Sequence, residues 1–120
     1  MINFKELRIG NLLKPLFNND VEYCKVKGID EEYIYSNAIS FDYTGFDEFK
    51  PIPLTEEWLI KFGFKKYSKN FIKYGDIEFY IWTTNNDYQI KALDKLIKIE
   101  TVHELQNLYY LLTKTELFYE

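Results

Sequence analysis

A chain of 120 residues holding one histidine and one cysteine has few routes to covalent chemistry. The nucleophile–base pairing within reach is Cys24 with His103, and the fold would have to bring two remote segments together to form it. A zinc centre needs several imidazole, thiolate or carboxylate ligands at compatible spacing, and His103-Glu104 lacks the second histidine of a zinc-protease helix. The five glycines, at 10, 28, 45, 63 and 75, stand singly, so no glycine-rich phosphate loop is written here. Nineteen acidic side chains would supply a two-carboxylate hydrolase, yet no spacing selects a pair. The expectation is a protein that binds rather than transforms, with no catalytic residue, metal or cofactor; a small hydrolase is the third reading.

Two stretches carry binding chemistry. Between Lys61 and Gly75 the chain places Lys61, Lys65, Lys66, Lys69 and Lys73 with no acid among them, interleaved with Phe64, Tyr67, Phe71 and Tyr74. Cations beside aromatic platforms on strands are what a single-stranded nucleic acid requires. Against this stand a net charge of −4 and a single arginine, Arg8. The plainer reading puts the rings in a core and the lysines in solvent. The second stretch, Asp20–Glu57, holds ten acidic and three basic side chains around several rings. Acids steer an encounter with a basic partner and rings supply contact area, which nominates Tyr33, Tyr35, Phe41, Asp42, Tyr43, Phe46, Asp47 and Glu48 as partner contacts. The plainer reading here is a small barrel with its rings inside. Ten Phe and eleven Tyr, however, are more than a core of this size readily takes.

The elements that must position these residues begin with Pro51–Phe64. Thr55 is the N-cap of a short helix, Glu56 and Glu57 fill its first turn, and Gly63 stops it. Leu54 and Leu59 form a hydrophobic staple, and Trp58, Leu59 and Phe62 share a side. Upstream, residues 4–14 read as a strand bent at Gly10-Asn11, Pro15 to Asp20 as a loop, and Val21–Gly28 and Glu32–Ser36 as strands, with Tyr33 and Tyr35 opposite Ile34. Residues 37–50 fit either a strand pair or a loop. Downstream come strands at 64–67 and 71–74, a turn at Gly75-Asp76, and an alternating strand at 77–82. A loop at 83–87 and a hairpin at 88–99 follow, the latter with a helical turn at 91–98 as its rival. Thr101-Val-His-Glu104 is a capping box, and Val102, Leu105, Leu108, Tyr109 and Leu112 form the apolar stripe of a closing helix, with His103, Asn107 and Tyr110 opposite.

The class is therefore α+β in one domain, 1–120: an N-terminal small curled β-sheet or SH3-like barrel over 1–50, a connecting helix over 51–64, then an antiparallel β-meander and a C-terminal amphipathic helix over 65–120. A lone cysteine, no signal-peptide pattern and no apolar run of about 20 residues point to the cytoplasm and away from a membrane. Lys, Asn, Ile, Phe and Tyr together supply 57 residues while Ala appears twice, the mark of an A/T-rich bacterial or phage genome. Residues 1–60 carry six basic and eleven acidic side chains, and residues 61–120 nine and eight, an asymmetry that can orient binding.

Three strings, Leu7-Arg-Ile-Gly-Asn11, Pro51-Ile-Pro-Leu-Thr-Glu-Glu-Trp-Leu-Ile-Lys-Phe-Gly-Phe64 and Val102-His-Glu-Leu-Gln-Asn-Leu-Tyr109, resemble a family of small uncharacterised proteins encoded in bacterial phages and prophages. They span about a quarter of the chain and both of its ends. Those proteins often carry glycine after the Leu-Thr that closes the last helix, where this chain has Lys114. The resemblance implies an accessory protein acting in the host cytoplasm on host machinery or defence. Its partner would be a host protein or ribonucleoprotein effector, inhibition of a CRISPR effector being the sharpest version, with RNA contacted through the lysine run. A free single-stranded nucleic-acid-binding module is the alternative.

Overall fold

The computed structural model describes residues 4–16, 21–37, 44–74, 78–84, 87–92 and 95–117. The chain divides into two compact units, Met1–Ile52 with Val102–Asn107, and Pro53–Thr101 with Leu108–Glu120. Each unit is built on one five-stranded antiparallel sheet, and two α-helices complete the α+β class that the sequence implied.

The first unit holds β1 (Leu12–Pro15), β2 (Cys24–Ile29), β3 (Tyr33–Ser36), β4 (Thr44–Gly45) and β5 (Phe49–Lys50), in the spatial order β4-β3-β2-β1-β5. The sheet is open, with β4 and β5 as its two ends, so the SH3-like barrel alternative is not formed. Along β2 Cys24 and Val26 are buried and Lys25 and Lys27 exposed, the period-two signature of a strand with one dry face. Leu7, Leu13, Cys24, Val26, Ile34, Phe46 and Phe49 form its core. The β2–β3 turn is fastened by Asp30, whose Oδ1 accepts from the amides of Glu32 and Tyr33 at 2.8 Å each.

Three expectations change here. The chain does not enter as a strand, since Phe4–Glu6 is a 3-10 turn; the bend expected at Gly10-Asn11 is present, with Gly10 at a φ of 100° that only glycine adopts without strain, and residues 12–14 are strand as read. Pro15, expected in a loop, closes β1 opposite Phe49, a strand-end place where a missing amide donor does little harm. Residues 44–50 are neither a regular strand pair nor a free loop but β4, a 3-10 turn at Phe46–Glu48, and β5.

The second unit opens with α1 (Glu56–Lys61). Thr55 caps it, its Oγ1 accepting from the Trp58 amide at 3.4 Å, and Gly63 ends it at φ 89°. Leu54, Leu59 and Phe62 are buried, as the staple and shared side required. Then β6 (Lys65–Tyr67), β7 (Asn70–Lys73), β8 (Phe79–Thr84), β9 (Asp87–Ala92) and β10 (Lys95–Ile99) pair in chain order as a meander. The Gly75-Asp76 turn lies outside the described residues. Of the loop expected at 83–87, Thr83, Thr84 and Asp87 are strand, because Thr84 pairs with Asp87 and the β-branched threonines extend β8; Asn85 and Asn86 lie outside the described residues. Residues 88–92 and 95–99 are strands, and the helical rival is not formed. Phe71, Phe79, Ile81, Ile90 and Ile99 are buried on the inner side, where Phe79 meets Phe64 at 6.0 Å and Tyr109 at 5.1 Å between ring centroids.

The closing helix, α2 (Val102–Thr113), gives Val102–Asn107 to the first unit and its remainder to the second. Val102, Leu105 and Tyr109 are buried as the stripe required, whereas Leu112 is 42% exposed. His103, expected on the solvent side, is 2% exposed. The reason is that the helix's first half is covered on a second, polar side by residues 6–12. Among the described residues no helix is long and apolar enough to cross a membrane.

Candidate functional site

The side chains with most chemical capacity lie in the first unit, and the structure spends them on architecture. Gln106 Oε1 accepts from the Leu12 amide at 2.9 Å, and its Nε2 donates to the Gly10 carbonyl at 3.2 Å. Asn107 Oδ1 accepts from Asn11 Nδ2 at 2.8 Å and from Arg8 Nε at 3.1 Å, while its Nδ2 donates to the Glu6 carbonyl at 2.8 Å. Asn11 is fully buried; its Oδ1 accepts from the Arg8 amide, and its carbonyl accepts from Val26 of β2. Residues 8–11 and 106–107 are thus opposite halves of one polar clasp. Buried amides that satisfy backbone groups this fully hold a loop in one conformation.

The lone histidine and cysteine belong to the same unit. His103 Nε2 lies 3.8 Å from Glu6 Oε2, and burial pushes its pKa below the usual value, with Glu104 and Glu6 pulling the other way. Burial pushes the Cys24 thiol up, against a hydrogen bond with Ser36. A buried thiol held protonated is a poor nucleophile, and Cys24 packs as a small hydrophobe. Among the described residues no cluster of three or more His, Cys, Asp or Glu is placed to hold a metal.

Of the acidic–aromatic contacts, Phe41, Asp42 and Tyr43 lie outside the described residues, as does the side chain of Asp47. Phe46 is buried in the first unit's core and offers no surface to a partner. Tyr33 is 39% exposed, Tyr35 half-buried and Glu48 exposed.

Strand alternation disperses the lysine run. Lys61 pairs with Glu57 at 3.4 Å and its ammonium sits 5.4 Å from the Trp58 ring centroid. Lys66 pairs with Glu56 at 3.0 Å, and Lys73 Nζ donates to the Phe62 carbonyl at 2.7 Å, serving the last turn of α1. Phe64 and Phe71, read as platforms, are core residues. Lys65 and Lys69 remain exposed.

What the register assembles instead is the outward face of the second sheet. Tyr67 opposes Asn70, Asn70 opposes Trp82, and Trp82 opposes Gln89; Lys65 opposes Ile72, which opposes Tyr80. Cross-strand partners share a face, so these side chains lie on one side of the sheet, with Ile72 buried among them and Lys91 and Lys98 on the same side. Tyr80 and Trp82 stack with centroids 6.2 Å apart and planes 18° apart. The Tyr80 hydroxyl donates to Glu78, and Tyr67 is hydrogen-bonded to Tyr74; both contacts raise a phenol's pKa. Lys98 lies between Asp87 at 3.6 Å and Glu100 at 3.7 Å. Sequence reasoning marked the alternation at 77–82 but gave Tyr80, Trp82, Lys91 and Lys98 no role; their shared face follows from strand pairing, which one strand's pattern does not reveal. No protein-family model, curated protein or solved structure matches this chain.

Proposed function

We propose that the protein is a non-catalytic binding module of phage or prophage type, and that the outward face of its second sheet takes a single strand of nucleic acid, such as the RNA of a host ribonucleoprotein effector. The observation that carries this reading is the Tyr80–Trp82 stack on the solvent side of an antiparallel sheet, with Tyr67 beside it and Lys65, Lys91 and Lys98 at its margins. Bases stack on such rings whatever their sequence, and lysines track the phosphates. The second unit carries nine basic and nine acidic side chains, so its field does not repel a polyanion; the first unit, with six basic and ten acidic, accounts for the whole net charge.

Fluorescence anisotropy with a labelled single-stranded RNA of about 12 nucleotides tests this, since a base–aromatic stack contributes about 1–3 kcal/mol. Trp82→Ala and Tyr80→Ala should each weaken binding about tenfold or more, and Lys65→Glu with Lys91→Glu should flatten the salt dependence. No binding, or binding indifferent to both rings, refutes the reading. Stable capture of a host protein that is lost on reversing Glu31, Glu32 and Glu48 would instead assign the contact to the first unit, where Tyr33 and these acids are exposed.

A further inference from the structure

On the other side of the second sheet from Tyr80 and Trp82 lies a shallow pocket of about 330 Å³, lined by Glu56, Lys66, Ser68, Lys69, Phe71, Thr83 and Tyr88. Its parts come from the α1 N-terminal turn, the β6–β7 turn and the adjoining ends of β8 and β9. The walls are aromatic: Phe71 and Tyr88 meet edge to face at 6.1 Å. The rim is charged, with Lys66 bound to Glu56 at 3.0 Å and Lys69 forming no ion pair among the described residues, which leaves an excess of one cation.

Two features separate this pocket from an ordinary surface dent. Thr83 Oγ1 is buried and has no hydrogen-bond partner among the described residues, although burying a hydroxyl unpaired is costly. Lys69, for its part, does not ride on a loose turn. Its carbonyl accepts from the Thr83 amide at 2.9 Å, and the turn is held by Ser68 in the left-handed region at φ 56°. The backbone bearing the unpaired cation is therefore fastened to the strand bearing the unpaired hydroxyl.

We propose that this pocket binds a small organic anion with a flat ring: the ring against Phe71 and Tyr88, a polar atom bonded to Thr83 Oγ1, and the negative group at Lys69 and Lys66. Nucleoside monophosphates and aromatic carboxylates share that chemistry. The pocket is independent of the strand-binding surface, because Lys66, Phe71, Thr83 and Tyr88 are on the opposite face from Tyr80.

The test is a titration of the isotope-labelled full chain, followed by amide chemical shifts, with three probes: uridine 5′-monophosphate, 4-hydroxybenzoate and inorganic phosphate. Saturable shifts at residues 66–71 and 83–88 are expected with one or both ring anions and not with phosphate alone, and which of the two binds tighter identifies the source. Thr83→Val keeps the shape and removes the hydroxyl; it should raise the thermal midpoint of the free protein yet weaken the ring anion about tenfold, the loss of one hydrogen bond to a buried group. Lys69→Ala should weaken it by a similar factor, and Tyr80→Ala should leave it unchanged. The proposal is overturned if neither ring anion saturates, if phosphate binds as tightly as they do, or if Thr83→Val stabilises the protein without loss of affinity. Failure of RNA binding in the Trp82→Ala experiment has no bearing on these outcomes.

Discussion

The two units use side chains of similar polarity for opposite ends. In the first, the amides of Asn11, Gln106 and Asn107 are turned inward and fasten backbone to backbone, from the 3-10 turn at Phe4–Glu6 to β1. In the second, rings do the interior work, Phe64, Phe79 and Tyr109 in a row, while the polar and mixed residues Tyr67, Tyr80 and Lys65 are left on the outside. An inward amide is a commitment, because every partner it satisfies becomes a buried orphan if it is removed. An outward tyrosine carries no such obligation, which leaves it available for a ligand. The difference teaches that Asn11, Gln106 and Asn107 specify shape, whereas the outward rings proposed to take a ligand belong to none of the three strings that carry the family resemblance.

The largest expected effect breaks that contrast or establishes it. Gln106→Leu leaves the Leu12 amide and the Gly10 carbonyl without their partners and should destabilise the protein by about 3 kcal/mol, read from urea unfolding. Tyr80→Ala on the outer face should change stability by about 1 kcal/mol or less. Equal costs for the two variants would mean that the outer face is as structural as the clasp.

A smaller effect follows from His103. Burial holds its folded pKa below the value in the unfolded chain, about 6.5. As pH falls through that window the unfolded chain takes up a proton that the folded one refuses, so stability is present above the window and is lost on acidification. One such group contributes a slope of at most about 1.4 kcal/mol per pH unit. Glu6 and Glu104, the acids that counter the burial, reduce the slope without reversing it while the net shift is downward. Unfolding midpoints should therefore fall more steeply between about pH 7 and 5 in the natural protein than in His103→Gln. Parallel profiles would show that the folded and unfolded chains bind this proton alike, so that burial does not lower the imidazole's pKa.

These contrasts also mark what could be read in advance. In several places where one strand or helix decided the matter, the residues sufficed, although the strand read at 4–6 and the burial read for Leu112 were not formed. Thr55 and Gly63 bound α1, Ile34 opposes Tyr33, and Phe79 and Ile81 face inward while Tyr80 faces out. Where the outcome depended on what comes to lie beside an element, they did not. His103 looked outward because only one face of α2 is apolar, and nothing in residues 102–113 says that the other will meet Arg8 and Asn11. The five lysines from 61 to 73 looked like a single patch because they are near in sequence, yet period-two alternation and the acids of α1 send Lys66 and Lys73 away from Lys65. Lys91 and Lys98 joined the surface through register, a property of pairs of strands and of no single stretch.

The smallest expected effect concerns the end of α2, and it runs the other way. Lys114 adopts φ 61°, and its amide donates to the Tyr110 carbonyl at 2.8 Å, the left-handed closure that glycine makes without strain. A β-carbon in that region costs energy, while glycine gives some back through the freedom of the unfolded chain. Lys114→Gly should therefore stabilise the protein by about 0.5–1 kcal/mol, visible as a higher urea midpoint at unchanged slope. Because residue 114 belongs to the second unit and lies seven residues beyond Asn107, the gain should appear undiminished on a Gln106→Leu background. A gain that shrinks there would show that the helix end and the clasp are energetically coupled along α2, and that the two units' devices are not independent.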